Sequence, residues 1–370
     1  MKIVFDHQTF GWQKYGGISR YIYEIALQLS LQSGIDVTVA SPFYVNEYLK
    51  KAPKSLKVLG VHVCQLPKTG RILRAINHVI VFLLVRYLRP NIVHETHYSS
   101  KRCAPKGAKV VLTVYDMIHE RFSDQFSPFD STIIEKAIAV AHADHIICIS
   151  DQTRTDLIDL LKVSPDKISV VYLGFSLTCE PHLIKKIDAS SQPFLLYVGA
   201  RRGYKNFENL LKAYAASNYL SANYELVCFG GGDFTSKELG MMKALNINAK
   251  NIRQVSGSDE VLAGLYEAAS VFVYPSLYEG FGIPPLEAMS FSCPVVCSNV
   301  SCIPEVVGDA AEMFDPNDIK SIQSAIERVV QNTEFKKELI SRGKERIKHF
   351  SWERCGQETL KVYRKVSGKQ

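Results

Sequence analysis

The sequence predicts an α/β protein made of two doubly wound, Rossmann-like domains, and three observations predict it. Short apolar runs alternate with amphipathic stretches, the pattern of parallel strands joined by crossover helices. The rhythm breaks once, at a polar stretch from Lys185 to Pro193, and then restarts. A chain of 370 residues is also too long for one typical core and suits two.

The first cycle opens with a strand from Lys2 to Phe5, followed by a loop from Asp6 to Tyr15 rich in aromatic and polar residues. Gly16-Gly17 starts a helix whose Ile18, Tyr21, Ile22, Ile25, Ala26 and Leu29 share one face, and Gly34 ends it. Strands follow at Asp36 to Ala40, Ile92 to His94, Val110 to Tyr115, His145 to Ile149 and Ile168 to Tyr172. The second cycle begins with the apolar strand Phe194 to Val198 and the loop Gly199 to Asn206. Glu225 to Phe229 leads into Gly230-Gly231-Gly232-Asp233, and strands at Val271 to Tyr274 and Val295 to Cys297 complete it. A last helix runs from about Trp352 to Lys365, with Ser351 as its N-cap. The boundaries are therefore 1–176 and 190–350.

Composition excludes several classes. No apolar run reaches the roughly 18 residues needed to span a bilayer, and the first residues do not read as a signal peptide. The nine cysteines include no Cys-x-x-Cys pair, and no histidine lies beside Cys293, Cys297 and Cys302, so reduced thiols in a cytoplasmic protein fit better than a zinc site. The net charge of +7 is uneven: thirteen basic residues and one acid, Glu95, fall between Tyr48 and Lys109. Within that span an apolar run lies between Arg71 and Arg89. It reads either as a buried helix or as an element at an anionic membrane surface. Neither a dinucleotide fingerprint nor a Walker loop occurs.

The most informative segment is Tyr278-Glu279-Gly280-Phe281-Gly282-Ile283-Pro284-Pro285-Leu286-Glu287. Its glycines let the backbone turn tightly, and its prolines suit the first turn of a helix, where a missing N–H costs nothing. Strand, glycine turn and helix N-terminus make an anion site. Glu279 on the loop and Glu287 in the first helical turn would repel phosphate, so their natural partners are sugar hydroxyls. A sugar nucleotide satisfies both halves.

This segment resembles the Glu-x7-Glu motif of retaining family-4 glycosyltransferases with the GT-B fold. The resemblance implies two such domains facing across a cleft, with a C-terminal helix, 352–370, crossing back to the first. It places Glu279 on the donor sugar and Glu287 on the ribose, with Gly280, Phe281, Gly282 and Ile283 along the donor. Arg201 and Lys205 resemble the pair that grips the donor diphosphate, with Arg202 as the competing choice. Gly16 and Gly17 resemble the glycine loop facing the donor phosphate. Where many relatives carry His-Asp, this chain has Tyr115-Asp116, and the polar role falls to Asp116 or His119.

The chain has no Asp-x-Asp pair, so the resemblance implies a transferase that needs no metal and no cofactor. The donor it implies is GDP-mannose, with UDP-sugars close behind, as in the bacterial mannosyltransferases of surface polysaccharide assembly (lipopolysaccharide and O-antigen). The acceptor is a saccharide, lipid-linked at the inner face of the cell membrane, bound between the loops Asp6 to Tyr15 and His94 to Arg102. Phe10, Trp12, Tyr15 and Tyr98 there suit sugar faces. A sugar-nucleotide epimerase of the same fold is the alternative. A nucleic-acid-binding protein would explain the basic stretch but not the paired glutamates.

Overall fold

The computed structural model describes residues 1–64, 70–176 and 192–368, without the side chain of Arg71. Lys68 and residues 185–191 of the polar break lie outside them. The chain divides into two units, Met1–Gly174 with Phe350–Gln370, and Phe175–His349.

In the first unit the strands are β1 (Lys2–Phe5), β2 (Asp36–Tyr44), β3 (Lys57–His62), β4 (Ile92–Glu95), β5 (Lys109–Val114), β6 (His145–Cys148) and β7 (Ile168–Val170). They form one sheet in the order β3-β2-β1-β4-β5-β6-β7, every pair parallel. In the second unit β8 (Phe194–Val198), β9 (Glu225–Phe229), β10 (Ile252–Val255), β11 (Val271–Tyr274), β12 (Val295–Ser298) and β13 (Ala311–Phe314) run β10-β9-β8-β11-β12-β13, again all parallel. In both sheets the strand order reverses beside the first strand, at β1/β4 and at β8/β11. Open α/β sheets bind ligands outside the strand carboxyl ends at that reversal.

Three strands, β3, β10 and β13, have no clear apolar run. All three are sheet edges. With one side unpaired they carry Lys57 and His62, Arg253 and Gln254, and Glu312, which blurs the signal used to find strands.

Packing explains the helices. Gly17–Ser30 buries Tyr21, Ile22, Ile25, Ala26 and Leu29, and the C-terminal helix Trp352–Ser367 lies against it. Gly356 permits the approach, since a Cβ there would stand 2.6 Å from the Gln28 side chain. Ser351 caps that helix by accepting from the Arg354 amide. His94 on β4 is buried between Thr113 and the Tyr363 hydroxyl, and so ties the C-terminal helix to the sheet. In the second unit Leu195, Tyr197, Leu226 and Val273 pack in one cluster with Leu210, Leu211 and Tyr214 of the helix Phe207–Ala216 and with Ile322 and Ile326 of the helix Ile319–Gln331, which lies against it. Each such fully buried aliphatic side chain contributes roughly 1.5–3 kcal/mol.

The helix Gly70–Leu88 corrects the expectation of an element covered on both sides. Asn77, Val81 and Val85 are buried, while Ile72, Ile76, Val79, Leu83 and Tyr87, spaced along one helical face, are exposed. Among the described residues no helix is long and apolar enough to cross a membrane.

Candidate active site

In the second unit the loops after β8 and β11 meet beside the strand reversal. Lys205 ends the short 3-10 turn Gly203–Lys205, and Asn206 follows in the left-handed region at φ 55°, with its amide group bonded to the Pro316 carbonyl. This turns the lysine toward β11. Its Nζ lies 2.7 and 2.9 Å from the two carboxylate oxygens of Glu279, which is only 7% exposed. The Glu279 backbone is itself anchored: its amide donates to Ser301 Oγ, which donates back to its carbonyl, and Cys302 Sγ donates to the same carbonyl. Burial, and then the Glu279 charge, push the Tyr274 phenol well up, so it remains a protonated donor beside this carboxylate.

Gly282, at φ +100°, precedes the helix Ile283–Ser290, whose first turn holds Pro284 and Pro285. No acid lies in that turn: Glu287 is the fifth helical residue, one place later than the sequence suggests. Extra length in the glycine turn would have been needed to bring it earlier. It is nearly buried, and Tyr266 Oη donates to its Oε2 at 3.3 Å. Phe281 is a core residue, Ile283 is half-buried, and Gly280 is part of the buried loop.

Arg201 is engaged inside its own domain. Its side chain is 3% exposed, and Nε donates to Glu238 Oε1 at 2.7 Å. Nη1 donates to Gly230 O at 2.8 Å, and Nη2 to Gly232 O at 2.8 Å and Asp233 O at 3.0 Å. The planar fork thus gathers the carbonyls of a loop whose three glycines all have positive φ, +83°, +72° and +71°. A Cβ on Gly231 would stand 2.7 Å from Nη1. Arg201 thus holds the glycine loop, and Lys205 faces Glu279. Arg202 is exposed.

In the first unit, the loops after β1 and β4 enclose a cavity of about 470 Å³ at the strand reversal. Trp12 and Tyr98 line it, together with His7, His97 and, from the helix Gly70–Leu88, Arg74 and His78. Phe10 does not, being fully buried in the core, and Tyr15 is exposed, edge-on to Tyr48. Burial lowers His97 to about 4 and also lowers His7 and His78. Gly16 caps the helix Gly17–Ser30 without a side-chain bond, while Gln13 Oε1 accepts from the Ser19 amide at 2.9 Å. One of the amides at that helix start is thus already satisfied within the unit.

Asp116 is half-buried, accepts from the Ile118 amide and lies 3.9 Å from Lys136 Nζ. His119 stacks on Phe126 and stands 3.6 Å from Asp130, so the two candidates occupy different surroundings. Tyr115 is buried, its hydroxyl donating to the Thr96 carbonyl.

Residues 15–178 match the model for Glycosyltransferase Family 4, and residues 181–346 match that for Glycosyl transferases group 1. The chain is a family-4 glycosyltransferase. Its fold is GT-B. Sucrose-phosphate synthase from Thermosynechococcus elongatus superimposes with a TM-score of 0.74 over 99% of this chain and 98% of that one, at 19% identity, a likeness of fold.

The glycosyltransferase is 36% identical over 228 residues to "O-antigen chain mannosyltransferase B" of Escherichia coli, covering 59% of this chain and 60% of the relative. It is 26% identical over 320 residues to "O-antigen chain mannosyltransferase RfbU" of Salmonella typhimurium, covering 85% and 87%. The chain thus spans less than two thirds of the first relative and most of the second.

Sequence reasoning missed two parts of this glycosyltransferase. Glu238 was not singled out, although the spacing Thr235-Ser-Lys-Glu238 is a capping box, which the structure forms. His7, Arg74, His78 and Glu135 come from three separate segments, and only the tertiary fold places them around one cavity.

Proposed function

We propose that the protein is a retaining glycosyltransferase that moves a hexose, mannose by the likeness to its relatives, from a nucleoside diphosphate sugar to a lipid-linked saccharide in O-antigen assembly. The single observation that carries this reading is the Lys205–Glu279 pair at the strand reversal of the second unit. An ammonium beside a carboxylate suits a ligand that brings phosphate and sugar hydroxyls to one place.

In the proposed reaction the bond from the sugar anomeric carbon to the diphosphate breaks, and the acceptor hydroxyl oxygen bonds to that carbon on the same face. The acceptor proton passes to the departing diphosphate oxygen. Lys205 stabilises the charge that grows on that oxygen, the largest kind of catalytic contribution. Glu279 holds the donor sugar hydroxyls, and Glu287, oriented by Tyr266, the ribose. The absence of Asp-x-Asp from the sequence supports a cationic clamp in place of a divalent ion.

The exposed stripe Ile72, Ile76, Val79, Leu83 and Tyr87, set among basic residues, supports docking of the first unit on an anionic bilayer. A lipid-linked acceptor would be presented at such a surface.

A thermal-shift screen against GDP-, UDP- and dTDP-linked sugars, with and without EDTA, tests the donor. Stabilisation by one nucleotide class that survives EDTA supports the reading, because a ligand of the folded state alone must raise its stability. No shift with any of them sinks it. The anomeric configuration of the product, read by NMR, then decides retention, and conversion of donor without acceptor would mark an epimerase instead.

A further inference from the structure

Two cations line the first-unit cavity without an ion-pair partner among the described residues. Arg74 enters from the helix Gly70–Leu88 and Lys101 from the loop after β4. Neighbouring charges are already matched: Arg102 and Lys109 pair with Asp144, and Lys136 pairs with Glu120. Glu135 is the one acid in the lining. Asp6, close behind it, is engaged by the Thr96 amide and hydroxyl at 3.0 and 2.6 Å and by Gln8 Nε2 at 2.7 Å. Burial, with the Asp6 charge adding to it, lifts Glu95 to about 8, so this acid contributes little negative charge at neutral pH. Within the lining itself two cations thus face one acid, Glu135, while the Asp6 carboxylate behind it is held by neutral donors.

The rest of its wall suits a sugar ring. Neutral histidines each offer one donor and one acceptor, and burial keeps His7, His78 and His97 neutral. His7 is 2% exposed, and its buried Nδ1 has no hydrogen-bond partner among the described residues. Trp12, 40% exposed, stands edge-on to His97 with ring centres 5.6 Å apart, which fixes the indole as a flat apolar surface. The volume, about 470 Å³, falls in the usual range for small-molecule sites.

We propose that this cavity binds an acceptor sugar bearing an anionic substituent, phosphoryl or carboxylate, with Arg74 and Lys101 on the charge and His7, His97 and Trp12 on the ring. The role as acceptor site rests on the transfer reaction proposed above; the binding of an anionic sugar does not. Arginine offers a bidentate fork to either oxyanion and lysine a mobile point charge.

Trp12 supplies a local reporter. Its fluorescence is titrated with glucose 1-phosphate, glucuronic acid and methyl glucoside at fixed ionic strength, in the wild type, Arg74→Gln and Lys101→Gln, with Trp12→Phe to identify the signal. The wild type is expected to bind one anionic sugar about tenfold or more tighter than methyl glucoside, and each substitution to cut that preference about fivefold or more. Preference for the phosphate assigns a phosphoryl substituent, and preference for glucuronic acid a carboxylate. Equal affinity for all three in the wild type, or an anion preference that survives both substitutions, overturns the proposal. Donor turnover is read separately: anionic-sugar binding without any sugar transfer would preserve this site while removing the proposed reaction.

Discussion

Lys205 and Glu279 chelate one another, with both carboxylate oxygens within 2.9 Å of a single ammonium. They come from loops that follow β8 and β11, adjacent strands at the sheet's reversal. A diphosphate reaching Lys205 must compete with a carboxylate already in place, so the pair positions both charges before a donor arrives. Lys205→Ala and Glu279→Ala should each lower kcat by about 10² or more. Steady-state kinetics with the true donor check this, alongside circular dichroism to show a retained fold. Near-normal turnover in either variant would remove the pair from the mechanism.

Arg201→Ala should act differently from Arg202→Ala. Removing Arg201 leaves the carbonyls of Gly230, Gly232 and Asp233, and the Glu238 carboxylate, without their shared donor. The expected cost is about 1–3 kcal/mol of stability, whereas the exposed Arg202 should cost almost nothing. Denaturant melts of the two variants provide the comparison; equal stabilities would mean that the glycine loop does not depend on Arg201.

Acid should destabilise the fold through buried histidines. Burial lowers His94 from 6.5 to about 3 and His145 to about 4. As pH falls below about 6.5 the unfolded chain takes up protons that the native state refuses, so their contribution is present above 6.5 and lost toward 3. Glu95, lifted from 4.5 to about 8, opposes this, since its contribution fades as pH rises across that interval. His94→Asn should make the loss of stability between pH 6.5 and 5 shallower by up to about 1.4 kcal/mol per pH unit. An unchanged slope, from melts across that range, would contradict a neutral buried His94.

Membrane docking has its own signature. Val79 and Leu83 are 60% and 61% exposed, so Val79→Glu with Leu83→Glu should barely change the melting temperature. The double substitution should cut co-sedimentation with phosphatidylglycerol vesicles about tenfold, as two buried apolar groups are lost and two repelled charges gained. Undiminished binding would move the membrane contact elsewhere on the chain.

Much of this architecture was legible because parallel strands buried on both faces read as continuous apolar runs, as Phe194 to Val198 does. The Glu279–Glu287 segment was legible because glycines and prolines at fixed spacing mark a turn and a helix start. Distance across the sheet was not legible. That Lys205 meets Glu279 depends on which strands are neighbours. That Arg201 turns inward depends on Glu238 and on a loop of three left-handed glycines. The aromatic loop likewise concealed that Phe10 belongs to the core while Trp12 reaches the cavity.

The helix Trp352–Ser367 belongs to the unit that begins with Met1, although all of Phe175–His349 lies between in sequence. Emerging from the ribosome, the first unit must wait with the outer surface of Gly17–Ser30 unclothed while the whole second unit is made. The domain born first is the one finished last. A released chain that ends at residue 349 should therefore expose the seat of Tyr363 and Trp352 to chaperones, while the second unit already resists proteolysis.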